Sequence, residues 1–294
     1  MNIIAKKNLY FLISLLVIVP GIVSLILWGL NLSIDFRPGS KITFSGENVN
    51  QKTGKITSIL KKENVKVFNI QPSEKTISFN TEIIDQKKNR RILDKVQPLK
   101  VKEEEFETIG PTIGRETTEN AIKALVIASI LIVLYITWSF RSVPKPASSL
   151  RFGICAIIAL IHDALVVIGI FSILGHFLGV QIDSLFVTAL LTIIGFSVHD
   201  TIVVFDRIRE NLIKTGSSNF ANVVNESILQ TLVRSLRTSL TVILVLVALL
   251  LFGGESIRWF VVALLIGITS GTYSSIFNAA PLLVLWQELL DRKQ

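Results

Sequence analysis

The sequence predicts a polytopic α-helical membrane protein with six transmembrane helices and a small external α+β domain, ferredoxin-like in its order of elements, between helices 1 and 2. Three observations predict it. Half of the 294 residues are hydrophobic, and they gather in runs that approach or exceed the roughly 18 to 20 residues a spanning helix needs. Between the first two runs lies a segment rich in Lys and Glu with the size of a small soluble domain. Lys and Arg gather in alternate connections between the runs, which puts them on one side of a membrane.

The first run, Leu9 to Leu30, follows Lys6 and Lys7. It exceeds the roughly 7 to 15 residues of a cleavable signal core and no small-x-small cleavage site follows it, so it reads as a retained signal anchor. In the segment after it, "KITFSG" alternates like a strand, and "NQKTGKITSILKKENV" carries Ile56, Ile59 and Leu60 at helical spacing. "KVFNI" and "KTISFNT" read as strands around the turn "QPSE", "DQKKNRRILDKVQ" as a second helix and "EEFETIG" as a last strand. The order β-α-β-β-α-β is that of a ferredoxin-like unit. Its charges read as a solvated face, with a patch touching a translocating or partner chain as the alternative. Five more apolar runs follow: Ala121 to Phe140, Phe152 to Leu174, Ser184 to Phe205, about Leu236 to Phe252, and Trp259 to Trp286. The expected organisation is residues 1–31 as a cytoplasmic tip with helix 1, 32–120 as the external domain, and 121–294 as helices 2–6. "SIDFRPGS" and "IGPTIGRETTEN" suit hinge-like connections at the two ends of that domain.

Orientation follows from the basic residues. Lys6 and Lys7, then Arg141, Lys145 and Arg151, then Arg207, Arg209 and Lys214, then Arg292 and Lys293 share one side. The connection from Gly175 to Asp183 has no Lys or Arg, and that from Gly253 to Arg258 has only Arg258. Both termini are therefore expected in the cytoplasm. The net charge of +8 is largely this topological signal and not a nucleic-acid surface. The single cysteine, Cys155, lies in a membrane run and reads as packing, and no phosphate-binding GxxxxGK[ST] loop occurs. Direct use of ATP, a cofactor or a metal is not expected, and any work must draw on another energy source.

Ionisable groups at membrane depth are the candidates for that work, because a carboxylate in a spanning segment costs about 2.5 to 3.5 kcal/mol on insertion scales and is functional by default. Asp163 lies near the middle of the third run. Asp200 lies about four turns into the fourth, toward its cytoplasmic end. His162 and His199 precede them, but adjacent side chains point about 100° apart, so neither pair is expected to meet within its own helix. The fifth run starts with Arg234 and Arg237, expected at a depth similar to that of Asp200, with Thr201, Thr238, Ser239 and Thr241 adding hydroxyls. An Asp, an Arg and hydroxyls at one level make a proton relay, the arginine holding the carboxylate ionised until a conformational change separates them. The alternative for both arginines is snorkelling to the interface. Asp206, Arg207, Arg209 and Glu210 read as an interfacial cluster, and the histidines as hydrogen-bonded structural residues.

"IIGFSVHDTIVVFDRIREN", Ile193 to Asn211, resembles the signature IGYS-x-NDT-x-V-x-x-DRIREN of the SecF family of the bacterial Sec protein-export machinery. "ALIHDALVVIGIFSILG", "RSLRTSLTVILVLVALLLFGG" with its turn at Gly253 and Gly254, "GITSGTYSSIFNAAPLL" and "LSIDFRPGSKITF" around Asp35 resemble the family's other motifs, so the resemblance covers essentially the whole chain. It implies half of an RND-type transporter that pairs with SecD and uses the proton motive force. Such a pair promotes late steps of translocation of preproteins through SecYEG after SecA and ATP have driven insertion, in the inner (plasma) membrane, with YidC and YajC as further partners. The family's intramembrane acid falls on Asp200 and its arginine on Arg234, with Arg237 in reserve; Ser197, Asp206, Arg207, Arg209, Glu210 and Asn211 fall on the signature. His199 stands where the family has asparagine, Phe196 where it has tyrosine, and Ser33, Pro38 and Ser40 interrupt glycines of the lead-in. Two rivals stay open: an RND-like exporter of lipid or small molecules, which would need a second half, and an intramembrane enzyme, for which no third catalytic group of suitable spacing stands out.

Overall fold

The computed structural model of the protein describes residues 2–73, 75–141, 143–144, 147–215 and 219–292. Lys145 and Lys293, which enter the orientation reading, lie outside them. Among the described residues, six helical stretches are long and apolar enough to cross a membrane. They are α1 (Lys7–Trp28), α4 (Pro111–Ser139), α5 (Ser149–Leu178), α6 (Ser184–Thr215), α7 (Phe220–Phe252), and a composite of α8 (Arg258–Ser274), a π-turn (Ser275–Ala279) and α9 (Ala280–Asp291). Between α1 and α4 run β1 (Gly39–Ser45), α2 (Thr53–Lys62), β2 (Val67–Pro72), β3 (Thr76–Thr81), α3 (Gln86–Val96) and β4 (Lys102–Ile109). The chain divides into two compact units: Met1–Gly29, Ala124–Ile173 and Leu185–Gln294 form the first, and Leu30–Lys123 with Leu174–Ser184 the second.

In the second unit the four strands form one antiparallel sheet in the order β2-β3-β1-β4. Alternation along β1 puts Ile42 and Phe44 on one face, where Ile42 faces Phe79 of β3 and Phe106 of β4, and Phe44 faces Ile77. Ile56 and Leu60 of α2 and Ile92 and Val96 of α3 complete this core. Each fully buried side chain of this size contributes about 1.5–3 kcal/mol. The Asp85 carboxylate caps α3 by accepting from Lys88 N–H at 2.7 Å. The α5–α6 connection is stitched to the sheet: the Gly179 carbonyl accepts from the side-chain amides of Asn31, Asn69 and Gln71 at 3.2–3.4 Å. Asn80 bonds Gln181, and Leu32 bridges Ile182. Gly179 sits at φ +68°, a conformation that costs a residue without a Cβ little.

The first unit packs through small residues, as close helix contacts in lipid require. Gly21 of α1 and Gly169 of α5 touch backbone to backbone, so that a Cβ on Gly169 would lie 2.6 Å from Gly21 Cα. One turn on, the hydroxyls of Ser24 and Ser172 bond at 2.7 Å. Gly267 and Gly271 of α8 make room for the side chains of Ile193 and Ser197 of α6. Phe140, Phe152 and Phe205 form an aromatic cluster with centroids 4.8–6.1 Å apart. By contrast α4 buries almost none of its apolar window, leaving Leu131, Leu134 and Trp138 exposed, as expected of a face toward lipid.

Most of "IGPTIGRETTEN" is helical: α4 starts at Pro111, where a proline suits the first turn, and the Thr117 and Thr118 hydroxyls donate back to the carbonyls of Ile113 and Gly114. The fourth and fifth helices run well past their apolar segments, so that α6 reaches Thr215 and α7 begins at Phe220. The extensions are polar on one side and apolar on the other, with Val223, Val224 and Ile228 buried, which helical periodicity carries and mean hydropathy does not.

Candidate functional site

Among the described residues, two carboxylates are buried within the membrane-spanning unit, and they are answered differently. Asp163 of α5 is 1% exposed. Its Oδ2 accepts from Ser197 Oγ of α6 at 2.5 Å and from Ser274 Oγ of α8 at 2.6 Å. Its Oδ1 accepts from Ser270 Oγ of α8 at 2.8 Å, and His162 Nδ1 lies 3.0 Å from the same oxygen. Three helices therefore meet on one carboxyl group. The expectation that His162 and Asp163 do not meet within their helix is overturned: the Cβ vectors diverge, but the imidazole is long enough to bring Nδ1 back to Oδ1.

Asp200 of α6, 2% exposed, stands one turn beyond Ser197 and meets α7. Its carboxyl faces Ser235 and Ser239 of α7, while Oδ2 and the Ser235 hydroxyl make no hydrogen bond. Ser239 Oγ instead bonds Thr272 Oγ1 of α8 at 2.6 Å. Close by in sequence, Thr201 Oγ1 donates to the Ser197 carbonyl at 3.1 Å and bonds Ser275 Oγ of the π-turn at 2.9 Å. The expected pairing of Asp200 with arginine does not appear among the described residues. Arg234 and Arg237 lie on the exposed side of α7, because the inward face at this level is taken by Ser235 and Ser239, four residues apart, whose short side chains let α6 approach. His199 is exposed on α6, and Thr238 and Thr241 bond only their own helix backbone.

The remaining signature residues are scattered by design of the helix. Arg207 pairs with Glu210 and bonds Gln230, Arg209 pairs with Asp206, and Lys214 pairs with Glu210. Asn211 donates to Ser227 and Gln230 of α7, tying the polar ends of α6 and α7 together. Asp35 accepts from Ser184 N–H at 2.7 Å, placing a negative charge at the first residue of α6, where the helix dipole favours it. Gly253 ends α7; a Cβ there would lie 2.2 Å from the Leu249 carbonyl oxygen, and Gly254 leads into the short turn before α8.

Residues 88–289 match the family described as Protein export membrane protein SecD/SecF, C-terminal. The chain is 46% identical to the protein translocase subunit SecF of Thermobaculum terrenum, over 97% of this chain and 94% of that protein. The chain belongs to the SecD/SecF family. A second SecD/SecF relative, the protein translocase subunit SecDF of Bacillus subtilis, is 35% identical over 96% of this chain, which spans 38% of that longer protein. The crystal structure of SecDF, a translocon-associated membrane protein from Thermus thermophilus, matches 98% of this chain with a TM-score of 0.87 at 31% identity, and the chain spans 39% of it.

Sequence reasoning missed Ser270 and Ser274, which hold Asp163 from the sixth span, and Thr272 and Ser275, which bond Ser239 and Thr201. The signal was present in "GITSGTYSS": Ser270 and Ser274 stand four apart, on the same helix as Gly267 and Gly271. Small and hydroxylated residues at that spacing mark a close, hydrogen-bonded helix contact in a membrane.

Proposed function

We propose that this chain is the SecF-type half of a membrane accessory of Sec protein export, paired with a SecD half and driven by the proton motive force. The pairing is supported by SecDF relatives in which one chain is more than twice as long as this one and matches it over part of its length. The partners and setting follow from that reading: SecYEG as the channel the preprotein is crossing, SecA acting earlier on the same preprotein, YidC and YajC nearby, and the inner membrane with both termini cytoplasmic. Residues 32–120 form the external domain, whose β2-β3-β1-β4 sheet under two helices has the ferredoxin-like order, while 1–31 and 121–294 supply the spans.

One observation carries the mechanism. Asp200 is buried in a spanning helix with one carboxyl oxygen unmatched and hydroxyls facing it. A proton arriving at Oδ2 removes the charge that makes the site costly, and the Ser235 and Ser239 hydroxyls can turn to donate to the anion or accept from the acid. Uptake and release then bias the packing of α6 against α7 and α8. Arg234, exposed on α7, is available to a carboxylate of the SecD half in the assembled pair. The test is completion of a translocating precursor in inverted vesicles with and without a proton gradient. Asp200→Asn, which keeps volume and loses titration, should assemble with SecD and lose the response to the gradient. A parental response would make Asp200 a structural residue and end the proton reading.

A further inference from the structure

Ser239 of α7 and Thr272 of α8 are both buried, and their hydroxyl oxygens lie 2.6 Å apart. A hydroxyl has one proton to give and two lone pairs to receive with. Thr272 gives its proton to the Ile268 carbonyl of its own helix at 2.8 Å, a partner that can only accept. The proton between the two hydroxyls is therefore that of Ser239, and Thr272 Oγ1 accepts it. What Ser239 then turns to the carboxyl of Asp200, which it faces, is a lone pair and not a proton. That arrangement suits the acid and opposes the anion: a carboxyl O–H can donate to Ser239, whereas a carboxylate meets an oxygen with no proton to offer. With a proton on Asp200 the donors run in one direction, from Asp200 to Ser239 to Thr272 to the Ile268 carbonyl, and bonds aligned in this way strengthen one another. Ser235, the other hydroxyl facing the carboxyl, makes no hydrogen bond and can serve either state.

We infer that Thr272 is a positioning residue for the proton on Asp200. It holds Ser239 as an acceptor for the acid. When Asp200 ionises, the Ser239 proton turns to the carboxylate and the bond between α7 and α8 opens. The turn is favourable because a charge-assisted bond is roughly twice as strong as the neutral one it replaces, and Thr272 stays bonded to Ile268. Few other charges bear on the site. His199, next to Asp200 on α6, is the titratable group beside it. Arg234 and Arg237 lie on the exposed side of α7, and on α8 Arg258 stands at the first residue while Tyr273 donates to the Tyr10 carbonyl. Asp163 is enclosed by its own serines. The inference rests on Asp200 taking up a proton, as proposed above, and the two fail separately: a gradient response that survives Asp200→Asn ends the proton reading and says nothing of Thr272.

The test unfolds the full chain by heat at a series of pH values, after purification from membranes in detergent with its associated partner. Thr272→Val keeps the shape of the side chain and removes the acceptor. Its midpoint should lie about 2–4 °C below the parental one at the acid end of the series, the size of one buried hydrogen bond, and match it at the alkaline end, where Ser239 has already turned away. Thr272→Ala makes the same comparison without a branched side chain to repack. In the Asp200→Asn background, where the amide donates to Ser239 at every pH, the difference should persist across the series. Ser239→Ala removes both of the bonds between which Ser239 alternates and should lower the midpoint at both ends. Thr272→Ser, which keeps the hydroxyl, should restore the parental profile. A difference for Thr272→Val that is absent or constant across the series would overturn the inference, because a merely structural contact does not follow the proton. So would a difference that fades with rising pH in Asp200→Asn as well, since the titrating group would then be another.

Discussion

Asp163 and Asp200 share a residue type and a place inside an apolar span, and their surroundings assign them opposite consequences on substitution. Asp163→Ala removes the group on which three serine hydroxyls and the His162 imidazole now converge, and each buried donor left without a partner costs about 1–3 kcal/mol. The midpoint of thermal unfolding in detergent should fall by several degrees or more, and Asp163→Asn, which keeps one acceptor oxygen, should fall less. Asp200→Asn should leave the midpoint near the parental value, because it strands no internal donor and removes a charge. A midpoint unchanged in Asp163→Ala would mean that the serines find other partners and that the node holds nothing together. Both acids were legible in the sequence, since a carboxylate inside an apolar run stands out. What they touch was not: whether Ser235 or Arg234 faces Asp200 depends on about 100° of rotation of α7, and no residue of that helix records its rotation in isolation.

At the scale of elements, close contacts make sharp predictions. A Cβ on Gly271 would lie 2.9 Å from Ser197 Cβ, so Gly271→Val should push α8 from α6 and pull Ser270 and Ser274 off Asp163. A loss of about 1–3 kcal/mol or more is expected from overpacking, read by unfolding in detergent. Gly54 in α2 has open space around its Cα, and Gly54→Ala should stabilise by up to about 1 kcal/mol through helix propensity. The stitched α5–α6 connection makes a third case. Asn80→Ala with Gln71→Ala removes two of its side-chain ties to the sheet, and amide exchange across 175–183 should accelerate at least several-fold; unchanged exchange would show that the backbone bridge at Ile182 suffices. Nothing in "GHFLGVQID" announces this docking, because a loop's partners are set by tertiary placement and not by its own periodicity. The elements of the sheet unit were legible, since strand alternation and amphipathic helices leave period-2 and period-3.6 patterns in the chain.

At the scale of the whole molecule, the six spans followed from composition alone, because hydrocarbon admits so few alternatives to an apolar helix. Orientation rests on Lys and Arg, and it has a direct check. A reporter fused after Gln294 should read as cytoplasmic and one inserted near Glu74 as external. A C-terminus open to protease from the outer face would overturn the alternation of all six spans. The extents of α6 and α7 beyond the apolar runs were less legible, since those turns lie where water and headgroups make polar residues as acceptable as apolar ones.

The π-turn at Ser275–Ala279 carries a consequence for how this span tolerates change in length. A π-turn is one residue too many housed inside an otherwise regular helix. Elsewhere in a spanning helix, deleting a residue swings everything beyond it by about 100° and turns a buried face outward. Within residues 275–279 the same deletion returns the backbone to ordinary pitch and leaves both flanks facing as before. Deleting Ile276 should therefore still give an inserted, folded protein, whereas deleting Leu264 in α8 should not; proteolysis of the two variants in membranes separates the outcomes. The sixth span thus holds its spare length in a single turn, directly after the serines that hold Asp163.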